Sequence, residues 1–139
     1  KVPILSNSND EWADIDYFFV QVQALDKAVD FTTTCGNMLS AVGPAAIEMG
    51  LVKAKADETI IKIRAVNTGG RFVSKVKTPN GNLVYEGDAS IDGVPGTATP
   101  VELNFMESTF DDACLIEWSD KFKEILPTDR IEIIFKIYN

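Results

Sequence analysis

The sequence predicts an α+β domain in which an antiparallel β-sheet, or barrel, wraps around one buried central helix. Three observations carry this expectation. The stretch "FTTTCGNMLSAVGPAAIEMG", Phe31 to Gly50, has almost no polar face, and a helix apolar on nearly all sides is a buried one. From Thr59 onward, short segments alternate apolar and polar residues, the period of half-buried strands. The 139 residues, 45% hydrophobic and 24% charged, suffice for a single domain with a real core, over 1–139.

The elements follow in order. Val2 to Leu5 is a short apolar strand, and "SNSNDEWAD" after it is polar and turn-rich. "YFFVQVQ", from Tyr17, is aromatic and β-branched with alternating glutamines, which suits a strand. In the helix, Pro44 removes a backbone hydrogen bond, so a kink or a late helix start is expected there. Gly50 is placed to follow the C-cap. "TIIKIRAV" and "RFVSKVKT" are strands joined by the turn "NTGG". "PNG" signals a hairpin, with "NLVYEG" pairing back. "DGVPGTATP" is a shaped loop, in which Asp92 serves the turn, and "VELNF" is a further strand. Ser119 caps a short helix ended by Pro127, and "RIEIIFKIY" is a closing strand.

Composition removes several function classes. A net charge of -8 with scattered basic residues argues against a nucleic-acid surface. No apolar run approaches the roughly 20 residues that span a bilayer, and no signal pattern opens the chain. Cys35 and Cys114 are too few for a disulfide framework, so a reduced, cytoplasmic protein is expected. With no histidine, the sequence offers no Ser-His-Asp triad, Cys-His dyad or typical zinc site. No metal is expected.

Cys35 is the residue that asks for chemistry. It stands at the N-terminal end of the apolar helix, where partial positive charge and unpaired amides collect. A cysteine there is more readily a thiolate. The same amides can hold a substrate carboxylate, and Gly36 leaves room for it to approach. Thiolate and anion site together suit proton transfer at a carbon beside a carboxylate. Against this stands the plainer reading of Cys35 as a small buried residue, which free cysteines usually are. The flanking T-T-C-G-N brings the two readings near balance.

"CGNMLSAVGPAAIEMGLV", "NTGGRF", "TPNGNLVYEGDASIDGVPGTATPVELNFM" and the opening "KVPIL" together resemble the PrpF-type isomerases, of the diaminopimelate-epimerase fold superfamily. The resemblance covers 1–106, and 107–139 follows no family pattern that can be placed. It implies a cofactor-free enzyme that shifts a double bond in acids such as aconitate and 2-methylaconitate. The family's catalytic cysteine falls on Cys35 and its catalytic lysine on Lys1. Gly36 and Asn37 would donate backbone amides to a substrate carboxylate, and Asn67, Thr68 and Gly69 would lie near the substrate. Family members are longer and two-lobed, with the site in the cleft between the lobes. The segment before the lysine and the second lobe are expected to be missing here. A homodimer would rebuild the cleft.

Two function classes stay open. One is a PrpF-like isomerase of an unsaturated di- or tricarboxylic acid, with Lys1 and Cys35 as the proton-transfer pair. The other is a non-catalytic binding module built on one lobe, and a different reaction such as a natural-product cyclisation would also fit the scaffold. Cys114 reads as core packing before it reads as a second acid/base. The pairs Asp14 with Asp16, and Asp111 with Asp112, read as solvated loop charges rather than as metal ligands.

Overall fold

The chain divides into two units, Lys1–Thr109 and Phe110–Asn139. The computed structural model describes residues 1–25, 27–90 and 94–106, all within the first. The expected helix at 119–126 and strand at 130–138 lie outside the described residues, as do Cys114, the Asp111–Asp112 pair and Asp92.

Six strands and one helix are present among the described residues: β1 (Val2–Asn7), β2 (Ile15–Val22), β3 (Val29–Asp30), α1 (Gly36–Glu48), β4 (Asp57–Ala65), β5 (Arg71–Thr78) and β6 (Val101–Phe105). The strand order is β1-β2-β4-β5-β6, with β3 paired to β2. An α+β sheet around one helix is the architecture found. One pairing departs from the antiparallel pattern, because β2 and β4 run parallel in the register Ile15–Ile63 to Tyr17–Ala65. A parallel pair needs a long crossover connection. The stretch carrying α1 is that crossover.

Strand alternation builds the core. Ile15, Tyr17 and Phe19 of β2, Ile61, Ile63 and Ala65 of β4, and Phe72 and Val76 of β5 all face inward and are buried. Leu39, Val42 and Ala46 of α1 meet them, at the spacing that puts side chains on one helix face. The helix packs on β5 and on both outer strands, β1 and β6, so the sheet curls around it. The helix is not apolar-buried on every side, however. Ala41, within the helix, and Met49, its C-cap, are exposed. Pro44 is buried within a helix that already begins at Gly36, so it does not delay the start. Gly50 follows the C-cap Met49 with φ of 72°, the left-handed closure expected of it.

Close approach of helix and sheet depends on Gly43. A Cβ there would lie 2.9 Å from Val76 Cγ2 and would collide with the Ser74 hydroxyl. The chain after the helix is pinned by a closed ring of hydrogen bonds. The Lys55 amide donates to Thr59 Oγ1 (2.9 Å), Thr59 Oγ1 pairs with Thr78 Oγ1 (2.8 Å), and Thr78 Oγ1 donates to the Lys55 carbonyl (2.8 Å). Both threonines are fully buried, and the ring satisfies them.

Two local expectations change. "PNG" forms a 3-10 turn at Pro79–Gly81, but "NLVYEG" does not pair back as a strand. The edges of β5 are occupied by β4 and β6, leaving it no partner. The segment is held instead by Thr99 N–H donating to the Tyr85 carbonyl, by an Ala89–Ala98 bridge, and by Tyr85 Oη donating to Glu48. Of the Asp14–Asp16 pair, Asp14 is an exposed turn residue as expected, whereas Asp16 lies half-buried in β2. Asp14 accepts from the Lys62 amide, and Asp16 takes a two-pronged bond from Arg64 at 2.9 and 2.7 Å. Ser8 donates to Asp16 as well. These carboxylates tie the loop after β1 to β4.

Candidate active site

The chain that delivers Cys35 to the helix is fixed from two directions. Asp30 accepts from the Thr32 amide (2.8 Å) and from the Thr32 hydroxyl (2.7 Å), a side-chain-made turn that ends β3. Asn67, in the turn after β4, then clamps the next residue in place. Its Oδ1 accepts from the Phe19 amide (2.8 Å), while Nδ2 donates to the Phe19 carbonyl (2.8 Å) and to the Phe31 carbonyl (2.6 Å). Phe31 also stacks on Phe18, with ring centroids 5.7 Å apart.

Cys35 occupies the N-cap of α1 with extended backbone angles. It is half-buried and packs against the core cluster. Lys1, at the entry to β1, donates from Nζ to Cys35 Sγ at 3.3 Å. The first turn carries no acidic side chain, and no side chain caps its amides. Among the described residues those N–H groups have no side-chain cap, and they act on the sulfur as nearby dipoles. Burial alone would push the Cys35 thiol up. The Met38 amide, the Lys1 ammonium and the Asn37 amide outweigh it and hold the thiol below its ordinary range.

Gly36 is informative for what surrounds it. Among the described residues outside its own helix turn, a Cβ there would meet nothing within 4 Å, and its φ lies outside the left-handed region. Neither packing nor backbone conformation requires glycine at this position. Gly36 is the first residue of α1, and room at a helix N-terminus is what an anionic ligand would need. Asn37 is exposed on the same turn, and its carbonyl accepts from Ser40 Oγ at 2.8 Å.

Lys1, Cys35, Gly36 and Asn37 are thus brought together. Asn67 joins them through the backbone it clamps, with both its amide hydrogens and its oxygen engaged there. Thr68 and Gly69 shape the β4–β5 turn. Gly69 has φ of 73° and donates to the Ala65 carbonyl, while Thr68 Oγ1 accepts from Gly70. One polar group near the cysteine was invisible to sequence reasoning. Tyr17 Oη is buried, has no hydrogen-bond partner among the described residues, and adjoins Thr34 and Cys35. Among the described residues, no group of three or more His, Cys, Asp or Glu is placed to hold a metal, and no helix is long and apolar enough to cross a membrane.

A one-helix α+β unit with a lysine-bonded thiol at the helix N-terminus is the class that fold and site define. The chain belongs to the PrpF protein family, whose model matches residues 1–133. It is 48% identical over 130 residues to YbhH of Escherichia coli (strain K12), covering 94% of this chain and 35% of that protein. It is 46% identical over 108 residues to the (4E)-oxalomesaconate Delta-isomerase of Novosphingobium sp. (strain KA1), covering 78% and 30%. Among solved structures it resembles methylitaconate-delta-isomerase with a TM-score of 0.68 and 40% identity, covering 71% of this chain and 26% of that one. The chain therefore spans about a third of the length of the curated relatives it matches.

Proposed function

We propose that this chain carries the proton-transfer pair of a cofactor-independent isomerase acting on an unsaturated di- or tricarboxylic acid. The observation that carries the reading is the Lys1–Cys35 contact at a helix N-terminus that no side chain caps among the described residues. The relatives named as isomerases of oxalomesaconate and methylitaconate act on acids of this class. Such acids bring carboxylates for the amides and an allylic C–H for the base.

The residues suggest an order of events. The lowered thiol and the direction of the Lys1 hydrogen bond favour Cys35 as the thiolate base. The thiolate removes the allylic proton, and the electron pair spreads into the adjoining carboxylate as a dienolate. The first-turn amides, from Gly36 to Met38, stabilise the developing charge. Lys1 returns a proton to the far end of the allylic system, leaving a neutral amine beside a thiol. A proton then crosses the 3.3 Å contact from Sγ to Nζ and restores the starting pair. No net proton is consumed, and the double bond has moved.

The test is exchange in D2O. The full-length protein should incorporate deuterium from solvent into a methylitaconate- or oxalomesaconate-type acid, followed by proton NMR. Cys35→Ser should slow this by about 10²-fold or more, within the range of a lost general base. Absence of exchange by the wild type, or full exchange by Cys35→Ser, would sink the reading and leave a binding module.

A further inference from the structure

Lys1 and Cys35 stand 34 positions apart in the chain, yet Nζ of one lies 3.3 Å from Sγ of the other. A thiol and an amine held in contact have a chemistry of their own, apart from any substrate. Cys35 is only half-buried, and Lys1 is exposed just ahead of β1. Against burial first, the Met38 amide, the Lys1 ammonium and the Asn37 amide hold the thiol below its ordinary range. An accessible thiolate is the form that peroxides oxidise, and the fate of the sulfenic acid so made depends on what lies beside it. An adjacent thiol turns it into a disulfide. Among the described residues Cys35 meets no second thiol, and the side chain bonded to its sulfur is an amine.

We propose that Cys35 and Lys1 form a redox modification site, at which a peroxide joins Sγ to Nζ by a covalent sulfur–nitrogen bond. The thiolate attacks one peroxide oxygen, so that a sulfur–oxygen bond forms and the oxygen–oxygen bond breaks. The Lys1 ammonium gives a proton to the departing hydroxide, which leaves as water. Sulfur has then lost two electrons to the peroxide, and a neutral amine faces a sulfenic acid across the same contact. The nitrogen lone pair attacks sulfur and the sulfur–oxygen bond breaks. The hydroxyl takes a proton from nitrogen and departs as a second water. One side chain thus serves both steps, first as acid and then as nucleophile. Rotation about the lysine's own single bonds closes the gap, so neither β1 nor α1 has to move. A small thiol reverses the bond by attacking Sγ and releasing the amine, and a second equivalent of thiol frees Cys35. Closure spares the sulfur from the irreversible sulfinic and sulfonic acids. It also occupies both members of the proposed proton-transfer pair and silences them, although the bond itself requires only the contact and not the isomerase reading.

The test is a peptide map of the full-length protein after treatment with hydrogen peroxide, digested without reductant. The peptides bearing Lys1 and Cys35 should appear joined, at the sum of their masses less two hydrogens. Iodoacetamide labelling of Cys35 should be lost in step with joining and should return with dithiothreitol. Lys1→Arg keeps the positive charge but offers a far poorer nucleophile. It should give no joined peptide, and its Cys35 should run on to the sulfinic and sulfonic acids. Oxygenated Cys35 beside an unlinked Lys1 in the wild type overturns the proposal, and so does a Cys35 joined instead to Cys114 or to a backbone nitrogen. The map reads the bond rather than turnover. A linked protein without isomerase activity sinks the isomerase reading alone, and an active isomerase that never links sinks this inference alone.

Discussion

Asn67 Nδ2 donates to the Phe31 carbonyl at 2.6 Å, joining the turn after β4 to the chain that leads into Cys35. The same side chain brackets both backbone groups of Phe19. Replacing it by alanine leaves three backbone groups without their partner. Asn67→Ala should cost about 2–3 kcal/mol in urea unfolding and should slow Cys35 alkylation by loosening its lead-in. Unchanged stability would mean that water replaces the clamp without loss.

Lys1→Met removes one of the influences that lower the Cys35 thiol. The alkylation midpoint should move up toward the ordinary thiol value of about 8.5. In wild type the midpoint should also rise with salt, because the ammonium is exposed and screened. A midpoint indifferent to both changes would assign the lowering to the helix amides alone.

A thiol whose folded pKa is depressed contributes stability that is fully present above its unfolded value and lost as pH falls through its folded value. The stability difference between wild type and Cys35→Ser should therefore grow as pH rises toward about 8.5 and then level off. Denaturant titrations at several pH values measure it. A difference that shrinks with rising pH would contradict the lowered thiol.

Gly43→Ala should destabilise by about 1–3 kcal/mol, the cost of forcing a methyl into a filled contact, because the new group meets Ser74 and Val76. Ser74→Ala should be neutral or stabilising, since its hydroxyl is buried without a partner among the described residues. Paired urea curves separate the two. A tolerated Gly43→Ala would show that the helix can lift from β5.

Asp16 is held below the usual carboxylate range by Arg64 first, against burial, with help from Ser8. Its stabilising contribution is present above about pH 4 and lost as pH falls through the lowered value. Asp16→Asn should flatten the acid limb of the stability profile, read by unfolding between pH 2 and pH 5. An unchanged limb would assign acid sensitivity to other carboxylates.

Local pattern made much of the fold legible. Alternation in "TIIKIRAV" and "RFVSKVKT" marks β4 and β5, and the apolar run closed by Gly50 marks α1. What stayed hidden depends on partners distant in sequence. "NLVYEG" carries strand residues but meets a β5 whose edges are already filled, and nothing nearby in the chain announces that. The site divides the same way. The thiol at a helix N-terminus could be read from T-T-C-G-N, whereas Lys1 was pointed out only by family resemblance. Its 3.3 Å contact spans 34 positions, beyond any local pattern.

The vacancy beside Gly36 separates two demands that usually compete on one residue. Among the described residues, outside its own turn of the helix, nothing lies within 4 Å of a Cβ at that position, so a methyl group fits there. Any volume added is subtracted from whatever docks on the helix amides. On the proposed reading, acids of different bulk are admitted or refused by changes at this single position, at little cost to the fold. On that reading, a lineage changes its choice of acid here one methyl group at a time.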